Sequence, residues 1–235
     1  TPPTPVHSAP GASQRNSGPL GLNEFPFSPA HPQAPAARHN VSSAQIASTT
    51  VTPKAPPNTV AMTTAIKKLS TATADVDVSV EVLPDGVDAS ITGAKTLLDG
   101  TGVSAATPGY TTRQRKDGVQ IVGDLSGPYQ LKGTITIKTV YQPGAKPTDT
   151  SLYGRGTTPR DVAKGHTSLG FHESCHREDY LAYLKTTPLP SFGGKPGMTI
   201  SAYSSAEQAF LDAVSNYFTE MEKASNQATD EVGYK

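Results

Sequence analysis

The chain has 235 residues, and its twenty Lys plus Arg balance twenty Asp plus Glu, so no net field of either sign draws it to nucleic acid or to an anionic membrane. No apolar run approaches the ~20 residues of a membrane span, and the single cysteine, Cys175, excludes an intrachain disulfide and any Cys-rich zinc finger. Twelve of the 21 prolines fall in the first 57 positions.

Residues 1–58 are rich in Pro, Ala and Ser with few large apolar side chains, which predicts a linker or extended arm that cannot bury enough surface to fold alone. Residues 59–235 are then one domain, β-rich over 59–145 and helical over 160–226. The start lacks a signal-peptide pattern and an initiator methionine, and a piece of something longer is expected.

In chain order, Val76, Val78, Val80 and Val82 alternate with Asp75, Asp77, Ser79 and Glu81, the period of a half-buried strand. Leu83-Pro-Asp-Gly86 supplies a turn. Further strands are expected at Val87–Thr92, Gly118–Val122 and Tyr129–Tyr141, with Gly133 marking a bulge and a short helix at Gly93–Leu98. Beyond residue 160 the period lengthens. His166–Lys185 places Leu169, His172, His176, Tyr180 and Tyr183 on one helical face, capped by Thr167 or Ser168 and ended by Thr187-Pro188. A second helix, Ser205–Asn226, carries Ala206, Phe210, Ala213, Val214, Tyr217 and Met221 as its apolar stripe. A small, mostly antiparallel sheet followed by two helices is an α+β domain.

His172-Glu173-Ser174-Cys175-His176 matches H-E-x-x-H. At i and i+4 on a helix the two imidazoles point the same way and can share one Zn²⁺, while the carboxylate of Glu173 lies beside the metal without ligating it, placed to act as a general base. A metzincin extension is excluded, because Asp179 and Ala182 stand where its glycine and third histidine would be. A carboxylate from the second helix is the remaining choice. At about 100° per residue from Phe210, Asp212 and Glu222 turn toward solvent, whereas Glu207 and Glu220 border the apolar stripe. Ser204-x-x-Glu207 reads as a capping box, which leaves Glu220 as the expected third ligand. Its bland role is an ion pair with Lys223. Cys175 reads as a small packed side chain, His166 as a cap or cleft residue, and Tyr180, Tyr183 and Tyr203 as core. The Pro- and Gly-rich stretch 188–197 either borders the substrate cleft or is a plain connection.

The stretch FHESCHREDYLAYLKTTPLPSF, followed by a helix containing SNYFTEMEK, resembles the zinc-metallopeptidase extension at the C-terminus of evolved VgrG proteins, the spike tips of bacterial type VI secretion. The resemblance implies a zincin-like metallopeptidase with one catalytic zinc on His172, His176 and Glu220 and with Glu173 as base. It also implies a toxic effector covalently part of a secretion spike, acting on a protein or peptide in the periplasm of a neighbouring bacterium or in a host cell, with an immunity protein as a further partner. Two other functions share these residues: a zinc amidase acting on peptidoglycan, and a non-catalytic partner-binding domain with a structural zinc. Glu173 argues against the last, since a structural site has no use for a carboxylate beside the metal.

Overall fold

In the computed structural model the described residues are 62–233, so the Pro-rich arm lies outside them. Eight strands come first: β1 (Met62–Ser70), β2 (Ala74–Val82), β3 (Gly86–Val87), β4 (Ala94–Asp99), β5 (Val103–Ala106), β6 (Tyr110–Gln114), β7 (Gln120–Leu125) and β8 (Tyr129–Tyr141). Three helices follow, α1 (Pro159–Ala163), α2 (Leu169–Thr186) and α3 (Ile200–Ser225), and α3 runs into a π-helical turn, Asn226–Asp230.

β8 is the axis of the main sheet. β2 and then β3 lie parallel along one side of it, β5 and then β4 antiparallel along the other, and β1 closes the β2 edge antiparallel. Antiparallel pairings outnumber parallel ones, as expected, but the central pairing, Ala74↔Tyr129 through Val82↔Ile137, is parallel. Its cause is the long crossover between β2 and β8, which a hairpin cannot provide. The alternation in β2 holds: Val76, Val78, Val80 and Val82 are buried. With Leu131, Ile135 and Ile137 of β8 they form the sheet's half of the core, covered by Tyr180 and Leu184 of α2 and by Phe210, Val214, Tyr217, Phe218 and Met221 of α3.

Several expectations change. Residues 94–99 form a strand rather than a helix, because pairing with β8 overrides a weak local preference. The strand expected at 87–92 shrinks to Gly86–Val87, and the one at 118–122 becomes β7 of a separate hairpin with β6. Gly133 pairs in register with β2, so the ladder has no bulge there. Its φ of 139° and the Gly102 carbonyl 1.9 Å from where a Cβ would stand show a close backbone approach instead. α3 begins five residues earlier than expected, with Thr199 as N-cap accepting from the Ala202 amide. The capping-box reading of Glu207 therefore falls, and its carboxylate instead accepts from Thr107 Oγ1 at 2.8 Å.

The segment between β8 and α2 holds a dense polar knot. Thr158 caps α1 with Pro159 in the first turn. Asp161, 2% exposed, accepts from Arg155 Nε at 2.9 Å and Nη2 at 3.1 Å, from the Gly156 amide at 3.0 Å and from Thr158 Oγ1 at 2.7 Å. The Arg155 guanidinium above all holds this carboxyl well below the usual carboxylate range, against the opposing effect of burial. Gly154, at φ 58°, lies so close to the end of the chain that a Cβ there would stand 2.2 Å from the Thr229 carbonyl oxygen.

Asp161→Ala is expected to lower the unfolding free energy at neutral pH by about 2 to 3 kcal/mol, toward the low end for a broken buried pair because Arg155 is 36% exposed. A depressed folded-state pKa contributes stability above the unfolded value of about 3.9 and loses it as pH falls through the folded one. The deficit, followed by urea titration, should therefore shrink below about pH 3.9.

Candidate metal centre

Ser168 caps α2 by accepting from the Phe171 amide, and this fixes the start of the helix so that His172 and His176 fall one turn apart on its buried face. The helix has little apolar periodicity because the stripe it buries is polar: His172, Glu173 and His176 stand where aliphatic residues would. His172 is 0% exposed, and the two ring centroids are 5.1 Å apart.

Each ring is held by its Nδ1. His172 Nδ1 lies 2.9 Å from the Arg155 carbonyl oxygen, which can only accept, so this nitrogen carries the proton. His176 Nδ1 lies 2.8 Å from Ser225 Oγ. The one proton of that hydroxyl goes to Asp179 Oδ2 at 3.2 Å, leaving the oxygen to accept from His176. In the neutral tautomer that these Nδ1 partners select, each ring turns an Nε2 lone pair inward.

These two nitrogens converge on Asp230 Oδ1, at 3.1 Å from His172 and 3.0 Å from His176. The three ligand atoms all lie within 4.8 Å of one another, and the group is able to hold a metal ion. Three acceptors facing one another repel unless a proton or a cation lies between them. His172 Nε2 is buried and has no hydrogen-bond partner among the described residues, despite its short distance to the carboxylate. Bonds of ~2.0–2.1 Å in a tetrahedral site separate neighbouring ligand atoms by about 3.3 Å, close to the distances from Asp230 Oδ1 to the two nitrogens, and two imidazoles with a carboxylate suit Zn²⁺.

The same crowding governs protonation. Burial works to lower the basicity of His172, but the Asp230 carboxylate and the Arg155 carbonyl outweigh it and raise its pKa above the ordinary value. Burial would raise the Asp230 carboxyl, but the two imidazoles outweigh it and hold that carboxyl well below its usual range.

Glu173 lies about a quarter turn round α2 from His172, facing the sheet, and is 2% exposed. Its Oε2 accepts from Thr96 Oγ1 at 2.8 Å. Thr96 pairs across the strands with Thr139, their hydroxyls 2.9 Å apart, and Arg177 Nη2 donates to Thr139 Oγ1 at 3.0 Å. Burial pushes the Glu173 carboxyl up, opposed by His176, Thr96 and His172.

Glu220, the expected third ligand, is not brought to the histidines. Its side chain is 58% exposed and 3.6 Å from Lys223. A carboxylate at the border of an apolar stripe turns to water and a lysine rather than into the core, where it would lose its hydration. Asp212 accepts from Gln208, and Glu222 is half-buried on α3. Cys175 is buried, with its thiol pushed up to about 11 by burial. His166 is exposed and stacks on Phe171. Tyr180 is core, and Tyr203 donates to the Pro108 carbonyl. Tyr183 is half-buried against Tyr217. The 188–197 stretch lies at the far end of α2, about 15 Å along the axis from His176, with Phe192 packed on Tyr129 and Phe210, so it connects the helices rather than bordering the group. The loop that does border it carries Tyr153, whose ring lies edge-on to His172 at 4.8 Å.

Asp230 was overlooked because it follows the last residue that a 3.6-residue period assigns to α3. The i→i+5 bond from the Glu231 amide to the Asn226 carbonyl underwinds the chain there and swings Asp230 under α2. The one sequence signal is the cluster of short polar side chains, Ser225, Thr229 and Asp230, at a helix end where continued apolar spacing would be expected.

Asp230→Ala is expected to abolish zinc binding at micromolar protein in equilibrium dialysis, and Glu220→Ala to leave it unchanged. The reverse pattern would remove Asp230 from the site. Protons compete with metal for Nε2, so affinity is lost as pH falls. Because His172 is held above the ordinary 6.5, the loss should begin above that pH rather than below it. The chain finds no significant match among protein families, curated proteins or solved structures, so its chemistry is inferred from His172, His176, Asp230 and Glu173 themselves.

Proposed function

We propose that the chain is a zinc-dependent metallopeptidase of the HExxH type, with Asp230 in place of Glu220 as the third ligand. The observation that carries this is the convergent His172–His176–Asp230 group, with the buried carboxylate of Glu173 carried on the same helix next to His172 in the chain. A purely structural zinc would be served by the group alone. Asp230, with its side chain 19% exposed, is the ligand nearest solvent, and a catalytic site needs its open position on that side.

When bound, zinc lowers the pKa of a water toward neutrality and polarises the scissile carbonyl. His172, His176 and Asp230 would hold it, each histidine locked by its Nδ1 partner into the tautomer that offers Nε2. Thr96 occupies Oε2 of Glu173, which leaves Oε1 to take the proton of the attacking water and return it to the leaving amine nitrogen. A carboxyl raised by burial suits both transfers, because its proton affinity lies nearer that of its partners at neutral pH.

The resemblance to the metallopeptidase extension of evolved VgrG proteins supports a setting for this activity: a toxic effector delivered by type VI secretion, with residues 1–58 as the tether to the spike. Peptides or unfolded proteins of the target cell are then the substrates. Peptidoglycan amides are the competing substrate for the same chemistry.

Glu173→Gln is expected to keep zinc at wild-type stoichiometry and to reduce peptide-bond cleavage by about 10²- to 10⁴-fold, the range for losing a general base. Cleavage of an unfolded protein substrate beside purified muropeptides, both followed by mass spectrometry, separates peptidase from amidase. Full activity in the zinc-loaded Glu173→Gln protein would remove Glu173 from the reaction.

A further inference from the structure

A carboxylate that belongs neither to the ligand group nor to the base lies one turn beyond His176. Asp179 accepts two hydrogen bonds at the same oxygen, Oδ2, from Ser225 Oγ at 3.2 Å and from Thr229 Oγ1 at 2.8 Å. Both hydroxyls are almost fully buried. Ser225 is the residue that meets His176 Nδ1, and Thr229 immediately precedes Asp230. We propose that Asp179 is a positioning residue that fixes two of the three metal ligands at once: His176 through the Ser225 hydroxyl and Asp230 through the Thr229 hydroxyl.

The direction of the hydrogen bonds carries the argument. A hydroxyl has one proton, and an ionised carboxylate can only accept it. With Asp179 in place, Ser225 must donate to Asp179 and therefore accept from His176 Nδ1, which leaves Nε2 bare and aimed at Asp230. With Asp179 removed, Ser225 is free to donate to Nδ1, and the ring proton moves to Nε2, the atom that must bind metal. The second branch acts on position rather than tautomer. The π-helical turn is the segment of α3's continuation that bends under α2, and the Thr229 bond pins it to α2 next to the ligand it carries. Partners of this kind commonly change metal affinity by 10- to 100-fold.

This inference rests on the metallopeptidase reading, and the test separates the two. Zinc affinity is measured by competition with a chromophoric chelator for wild type, Asp179→Ala, Asp179→Asn, Ser225→Ala, Ser225→Thr and Thr229→Val, together with the visible spectrum of each Co²⁺-loaded protein. Asp179→Ala and Ser225→Ala are each expected to bind zinc about 10- to 100-fold more weakly and to show an altered cobalt spectrum. Asp179→Asn, whose side-chain oxygen still accepts from both hydroxyls, and Ser225→Thr should stay within a few-fold of wild type. Thr229→Val, losing the second branch alone, should fall between.

Unchanged zinc affinity in both alanine variants overturns the proposal. Equal loss in Asp179→Asn and Asp179→Ala overturns it too, because charge rather than hydrogen-bond direction would then be what matters. Should Asp179→Ala not fold, Ser225→Ala, which removes a single oxygen, decides alone. A wild-type protein that binds no zinc would overturn the metallopeptidase reading itself, an outcome distinct from variants that bind as well as wild type.

Discussion

Two imidazole lone pairs and a carboxylate oxygen, held within 4.8 Å of one another in the protein interior, repel unless positive charge lies among them. The protein does not relieve this repulsion by turning a ring over. The Arg155 carbonyl and the Ser225 hydroxyl hold both Nδ1 atoms as donors, so each ring keeps its acceptor face inward. A cation satisfies all three groups at once, whereas protons must be shared between them. The raised His172 and the lowered Asp230 carboxyl follow from the same closeness, since each favours the charged form of the other.

Holding such a group together requires rigidity from three distant parts of the chain. Arg155 supplies much of it. Its carbonyl takes the His172 proton, its amide donates to the Thr229 carbonyl at 2.8 Å, and its guanidinium is clamped by Asp161. One residue between the sheet and the helices therefore braces the ligand on α2 and the turn that carries Asp230. Gly154 makes this approach sterically feasible, because its left-handed backbone and missing Cβ let the loop lie against the Thr229 carbonyl.

The parts of this structure legible in the sequence are those governed by regular periods. The valine alternation of β2, the apolar face of β8 and the stripe of α3 follow directly from side-chain spacing, and the H-E-x-x-H spacing puts two imidazoles on one helical face wherever the helix begins. What the sequence does not disclose arises where the period changes or where pairing is remote. Residues 94–99 become a strand only because β8 offers an edge 37 to 47 residues away. Asp230 reaches the histidines only because the helix underwinds at Asn226, and a constant 100° per residue points to Glu220 instead. A third ligand inferred by extending a regular helix is thus most exposed to error at its terminus, where the hydrogen-bond pattern is free to change.

The two faces of α2 at this site are built with opposite hydrogen-bonding character. Toward α3 and the π-helical turn, acceptors converge and donors are turned away. Toward the sheet, a hydroxyl donor, Thr96, meets the Glu173 carboxylate. A guanidinium can only donate and an ionised carboxylate can only accept. Arg177 therefore donates to Thr139 and Thr139 to Thr96, whose proton is shared between Glu173 Oε2 at 2.8 Å and the Glu173 carbonyl at 3.1 Å, so one polarised chain runs from Arg177 to Glu173. Asp85, at 3.3 Å from Arg177, anchors the outer end. The two threonines sit as a cross-strand pair on β4 and β8, where aliphatic residues would pack as well but could not donate. The sheet thus gives up part of its apolar face beneath the helix so that a carboxylate can be buried there and held in one orientation. Burial strips the Glu173 carboxylate of its hydration, and the Thr96 hydroxyl both offsets part of that loss and sets which way the carboxylate points, which two aliphatic residues at 96 and 139 could not do.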